Sequence, residues 1–136
     1  MLSSSVALFM LDTDISSYVI RRRPASVAAL FERHATALCV SVISAAELRF
    51  GAEKAGRQEL TELVEAYLSR LAVLDWTNAV TFHYARTRTV LERAGNPIGN
   101  LDLMIAAHAL AEGATVVTNN SRHFSAVPGL RVQEWT

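Results

Sequence analysis

Four short stretches of this 136-residue chain set carboxylates or amides at the ends of apolar runs. Val6 to Asp14 reads Val-Ala-Leu-Phe-Met-Leu-Asp-Thr-Asp, six apolar residues that stop on Asp12 and Asp14. A second apolar run, Leu38 to Ile43, feeds Ser44-Ala45-Ala46-Glu47. Asp102 falls in the first turn of an apolar helix that follows a loop, and Asn119-Asn120 follow a third apolar run. Of only four aspartates in the chain, Asp12, Asp14 and Asp102 lie in these turns. Unpaired carboxylates gathered within a few ångströms repel and raise one another's pKa, so a shared site calls for a cation. Oxygen donors without Cys or His favour Mg²⁺ or Mn²⁺ over Zn²⁺. Each position also has a local explanation. Asp12 or Asp14 suits a helix N-cap, and Ser44 with Glu47 forms a capping box. Thr13, Ser44 and Thr118 are hydroxyls that would either orient the carboxylates or serve as ordinary turn and cap residues. His34, His83, His108 and His123 show no ligand spacing, and His108, on an apolar helix, reads as a satisfied core side chain.

The elements that must position these residues alternate. Six apolar residues without alternation suit a strand buried on both faces, as in a helix-covered parallel sheet. Helices are expected over Ile15 to Arg22, Ala25 to His34 behind Pro24, Ala45 to Ala55 with Gly56 as its stop, and Arg57 to Leu71. Two more follow, Asn78 to Ala94 with Gly95 as its stop, and Leu101 to Leu110 ending at Gly113. Strands are expected over Ala72 to Leu74, Thr115 to Thr118 and Leu130 to Trp135. Strands alternating with helices predict an α/β fold of three layers, a central parallel sheet of about four to five strands flanked by helices. In open sheets of this kind ligands sit beyond the carboxyl ends of the strands, and the four stretches fall just after a strand or, for Asp102, at the start of a helix beside one. The chain has no internal repeat or long linker, so residues 1–136 read as a single domain.

Composition narrows the class. The formal net charge is zero, so any nucleic-acid binding must come from local patches. Lys54 is the one lysine among 13 basic residues, and Arg suits bidentate recognition of phosphate or carboxylate. Arg21-Arg22-Arg23 and the group Arg86, Arg88 and Arg93 are the two basic clusters. Cys39 is the only cysteine, which excludes an internal disulfide and suits a reducing compartment. No basic leader precedes the first apolar run, Ser3-Ser4-Ser5 reads as a frayed leader, and no stretch reaches the ~20 apolar residues of a membrane span. A cytoplasmic protein is expected. The 51% hydrophobic share leaves apolar surface for a partner, with the stripe Leu60, Leu63, Val64, Tyr67, Leu68 and Leu71 facing either the core or another subunit.

Leu11-Asp12-Thr13-Asp14, Ser44-Ala45-Ala46-Glu47-Leu48, Ile98-Gly99-Asn100-Leu101-Asp102-Leu103-Met104-Ile105-Ala106-Ala107-His108-Ala109 and Val117-Thr118-Asn119-Asn120, with Phe124, Val127-Pro128-Gly129-Leu130 and Trp135, together resemble a PIN-domain ribonuclease. The likeness is greatest to the VapC toxins of bacterial toxin–antitoxin pairs and runs in order over almost the whole chain. It implies a sheet with the first strand in its centre, Mg²⁺- or Mn²⁺-dependent cleavage of RNA, with tRNA as the first guess, a homodimer, and inhibition by a cognate VapB antitoxin. The family's first three acids map onto Asp12, Glu47 and Asp102, which would hold the metal. Its fourth, often Asp, maps onto the Asn119-Asn120 turn, best onto Asn120. His123 stands where an acid frequently precedes the Phe. Asp14 matches a position that is often Asn, so it would either bind the metal or orient Asp12. Arg21, Arg22, Arg23, Arg86 and Arg88 are the candidate RNA contacts, and an antitoxin Arg would suit the acidic groove.

Two other classes fit parts of the chain. Asp12-Thr13-Asp14-Ile15-Ser16 also matches the opening of haloacid-dehalogenase-like phosphatases, with Asp12 as nucleophile and Asp14 as acid/base. After Asp102, however, no Asp remains to complete that family's Mg²⁺ site. A PIN-like binding module without catalysis is the third reading, and the intact acidic trio argues against it.

Overall fold

The computed structural model describes residues 7–22 and 24–135. Strand β1 (Phe9–Leu11) is followed by helices α1 (Thr13–Arg21) and α2 (Ala25–Arg33), then β2 (Leu38–Ser41), α3 (Val42–Ala55) and α4 (Gln58–Leu68). Strand β3 (Ala72–Leu74), helices α5 (Asn78–Arg93) and α6 (Asn100–Glu112), β4 (Thr115–Thr118), the short α7 (Ser121–Ser125) and β5 (Val132–Glu134) complete the chain. All four pairings are parallel and the strand order is β3-β2-β1-β4-β5. The expected α/β sheet is present with five strands, and β1 lies in its middle.

Alternation along each strand assigns side chains to the two faces of the sheet. Leu11, Val40 and Val117 join Ile15, Val19, Phe31, Leu48 and Val64 in a core beneath α1 to α4. Met10, Cys39 and Val116 point the other way, into a core with Leu91, Leu103, Ile105, Ala109 and Phe124 from α5, α6 and α7. Both faces are therefore covered, which is why β1 needs an unbroken apolar run. The Leu60 to Leu71 stripe belongs mainly to the core: Val64, Tyr67 and Leu68 are buried, Leu60 and Leu71 pack against them, and only Leu63 is largely exposed.

Two helix starts differ from expectation. Strand β2 ends at Ser41, and Ser41 Oγ accepts the Ile43 N–H at 3.1 Å, so α3 starts at Val42. Ser44 is thus inside the helix, buried and not its cap, and the expected capping box with Glu47 does not form. Short-range rules favour Ser44 because a Glu follows three residues later, but the sheet register, which pairs Ser41 with Leu74, ends the strand earlier. Helix α1 starts at Thr13 because Asp12 takes the N-cap, its Oδ1 accepting the Ile15 N–H at 2.8 Å. Glycines at positive φ close α3 (Gly56, 66°) and α6 (Gly113, 68°), where a Cβ would be strained. Ser3-Ser4-Ser5 and Arg23 lie outside the described residues. Among those described, no helix is long and apolar enough to cross a membrane.

Candidate active site

Parallel strands β1 and β4 end side by side, and their last residues build the centre of the site. Leu11 pairs with Val117, and the Asp12 N–H continues the ladder to the Val117 carbonyl at 3.0 Å. This register puts Thr118 next to Asp12, and Thr118 Oγ1 donates to Asp12 Oδ2 at 2.6 Å. The same hydroxyl accepts the backbone N–H of Asn120 at 2.8 Å, tying the turn after β4 to the carboxylate after β1. Asp12 therefore caps α1 with one oxygen and binds Thr118 with the other. It serves as helix cap and candidate ligand at once.

Asp12 is 3% exposed. Burial pushes its pKa up from 3.8 to about 6, the Thr118 and Ile15 hydrogen bonds oppose that rise, and the negative charges of Asp14 and Asp102 add to it. The charges of Asp14 and Asp102 thus reach Asp12. Asp14 is exposed in the first turn of α1. Asp102 lies in the first turn of α6, where the helix N-terminus favours a carboxylate.

Glu47 lies on α3 and makes no hydrogen bond to Asp12 or Asp102. It lines an apolar groove of about 240 Å³ with Thr13, Ser17, Arg21 and Leu48, between α1 and the faces of α3 and α4. Among the described residues, no three His, Cys, Asp or Glu side chains converge closely enough to cage an ion on their own. A hard divalent ion does not require such a cage, because Mg²⁺ and its relatives commonly keep several waters and use one or two carboxylates. A buried carboxylate whose charge is opposed by two neighbouring carboxylates fits such an ion, which would relieve the repulsion.

The two asparagines separate. Asn119 Nδ2 donates to the Tyr18 hydroxyl at 2.7 Å, and its Oδ1 is buried without a partner. Asn120 turns its amide toward His123, with Nδ2 3.1 Å from His123 Nδ1, and that same nitrogen is 3.0 Å from Asp102 Oδ2. His123 thus touches Asp102 and Asn120, a contact that ligand-spacing rules passed over. Its signal is the three-residue offset from Asn120, which one turn of α7 converts into contact. Tyr18, one turn into α1, was likewise not foreseen. His108 is buried as expected: Ser41 Oγ lies 2.7 Å from its Nδ1, and burial holds the imidazole below its usual pKa. Its Nε2, 3.8 Å from Glu112, has no hydrogen-bond partner, so the ring is satisfied at one nitrogen and not at both as the sequence suggested.

The arginines do not form one patch. Arg21 lies on α1 beside the Glu47 groove and stacks over Tyr18, 5.2 Å from the ring centroid. Arg22 lines a neighbouring recess with Glu32 and Arg70. Arg86 and Arg88 are on α5, against the opposite face of the sheet, and Arg88 is held by Glu92 at 2.7 Å.

The model of the PIN domain family matches residues 9–130. This chain belongs to the PIN-domain family. Within it the chain falls in the VapC group. It is 41% identical over 129 residues to the tRNA(fMet)-specific endonuclease VapC of Shigella flexneri, covering 94% of this chain and 98% of that one. It is 42% identical over 128 residues to the ribonuclease VapC2 of Haemophilus influenzae strain Rd, covering 93% and 97%. The crystal structure of DNA-bound VapBC from Salmonella typhimurium superposes with a TM-score of 0.91 at 38% identity, covering 96% of this chain and 100% of that one. That of VapBC2 from Rickettsia felis bound to a fragment of promoter DNA gives 0.89 at 39%, covering 95% and 99%. Membership of the PIN family removes the haloacid-dehalogenase-like reading of Asp12-Thr13-Asp14.

Proposed function

We propose that this PIN-domain protein is a VapC-type toxin, an endoribonuclease that cleaves cellular RNA with the help of Mg²⁺ or Mn²⁺ and is restrained by a cognate VapB-like antitoxin. The observation that carries the proposal is Asp12, buried at the strand edge, held by Thr118 and facing the charges of Asp14 and Asp102, in a chain about 40% identical to VapC ribonucleases. A tRNA substrate is the first choice because the Shigella relative bears that specificity in its name. The VapBC complexes among its structural neighbours support the antitoxin. A homodimer is the proposed assembly, supported by the apolar side chains left exposed, Phe82 at 68% and Phe50 at 60%.

Asp12 and Asp102 would hold the ion, with Glu47 reaching it directly or through water. The bound ion supplies polarisation of the scissile phosphate and a water acidic enough to act as nucleophile near neutral pH. The remaining contributions are the chain's own. Thr118 and the Ile15 N–H fix both oxygens of Asp12, so the carboxylate is already oriented before substrate arrives. Asn120 is set by its backbone bond to Thr118, which places its amide at the open edge of the site.

Purified protein should cut tRNA only when a divalent ion is added, and Asp102→Ala or Glu47→Ala should lower the rate by about 100-fold or more while leaving the melting temperature within a few degrees. Full cleavage by Asp102→Ala would sink the proposal. Binding of RNA to the inactive variant should weaken steeply with salt. Arg21→Ala should reduce the salt slope by about one, since each neutralised phosphate contributes about that much. A slope indifferent to all of Arg21, Arg22, Arg86 and Arg88 would show that RNA binds elsewhere.

A further inference from the structure

We propose that His108 is a positioning residue for the site: through Ser41 it pins the start of α3 against α6, and so sets where Glu47 stands relative to Asp102. The inference rests on the metal-dependent nuclease reading above and names a residue on which that site depends without touching it. His108 is fully buried on α6, with its Nδ1 2.7 Å from Ser41 Oγ. Ser41 is the last residue of β2 and the N-cap of α3, where the same Oγ accepts the Ile43 N–H at 3.1 Å. One buried hydroxyl thus joins a strand end, a helix start and a second helix.

The two carboxylates are placed alike about this bond. Glu47 follows Ser41 by six residues along α3, and Asp102 precedes His108 by six residues along α6. Six residues of helix span about 9 Å, so a tilt of roughly 7° at the bond would carry either carboxylate about 1 Å. A misplacement of about 1 Å is enough to slow a reaction on the order of 100-fold. Glu47 makes no hydrogen bond to Asp12 or Asp102, so it takes its place from the seating of α3. Among the described residues, no other side-chain hydrogen bond joins the start of α3 to α6, and Ser44 Oγ, buried in the first turn of α3, has no partner.

Packing alone does not account for a histidine here. Its Nε2 is buried without a hydrogen-bond partner, 3.8 Å from Glu112 Oε2, and burial holds the imidazole below its usual pKa. A buried polar atom left unpaired destabilises a fold, and a leucine would fill much the same volume without one. What leucine cannot supply is the polar atom facing Ser41.

The test compares the full chain with His108→Leu, His108→Asn and Ser41→Ala, first with Mn²⁺ alone and then with RNA and Mn²⁺. His108→Leu should melt no more than a few degrees below the unaltered protein, yet bind Mn²⁺ on the order of tenfold more weakly by calorimetry. Its kcat should fall by about tenfold with KM for RNA unchanged. His108→Asn keeps a polar atom near the position of Nδ1 but leaves a cavity, so it should melt lower and bind Mn²⁺ almost as the unaltered protein does. A merely structural role would rank the two the other way, with affinity following melting temperature. Ser41→Ala should reproduce the loss of affinity, and adding His108→Leu to it should weaken binding little further, because both changes remove the same bond. Unchanged Mn²⁺ affinity in His108→Leu, additive losses, or affinity that tracks melting temperature overturns the inference and leaves the nuclease reading standing. Failure of the unaltered protein to bind Mn²⁺ at millimolar concentration overturns both.

Discussion

Asp12→Asn is expected to melt above the unaltered protein near neutral pH while cleaving RNA about 100-fold more slowly or worse. The reason is the cost of holding a charge at that position. Asp12 is almost fully buried, and its pKa is about 6 in the folded protein against an ordinary value of 3.8. The folded protein therefore keeps the Asp12 proton more tightly than the unfolded chain does. Its contribution to stability is complete below about pH 4, is lost as pH rises through about 6, and is absent above that. A difference of roughly two pKa units corresponds to at most about 3 kcal/mol, and about 1–3 kcal/mol is a fair expectation for the amide. Asn retains an oxygen to accept from Ile15, and its N–H₂ can donate to Thr118 Oγ1, so neither hydrogen bond need be lost. Thermal unfolding in chelator should give a gain of roughly 3–8 °C near pH 7.5 that shrinks toward pH 4.5. A variant that melts lower at pH 7.5, or whose gain does not depend on pH, would contradict the account.

Phe124→Ala is expected to cost about 3–5 kcal/mol, a large part of the roughly 5–15 kcal/mol that holds a domain together. Phe124 is fully buried, packed in the core shared by Met10, Leu103, Ile105 and Val116, and it is the one buried residue of α7. That short helix carries His123 and follows its N-cap, Asn120, so loosening its anchor draws His123 away from Asp102 and Asn120. Denaturant unfolding should show the loss, and cleavage below the melting range should fall further than in Phe124→Leu, which fills most of the space. A loss under about 1 kcal/mol would mean that α7 is held by something other than this ring.

The alternation of strands with helices, the buried first strand and the placing of Asp12 just beyond it were legible because each follows from a short-range pattern, while the central place of β1 came from the family resemblance. Apolar runs without alternation mark covered strands, and acids where they stop mark the sheet edge. Three features were hidden for identifiable reasons. The start of α3 depends on where β2 stops pairing with β3, a tertiary contact that a Ser-x-x-Glu pattern does not register. His123 looked isolated because its partner Asp102 is 21 positions away and Asn120 meets it only once α7 has formed. The division of Asn119 from Asn120 is decided by Tyr18, on the far side of the chain from both. The sequence shows two arginine clusters but not their arrangement, and the sheet between α1 and α5 sets them on opposite faces.

Thr118 and Asp12 are 106 positions apart, and β4 must slide in beside β1 before the two can meet. A chain still lacking β4 therefore has no hydroxyl to orient Asp12. On the proposed reading, a stop codon anywhere before β4 would yield a product that does not cleave RNA, although Asp12 itself is made among the first residues.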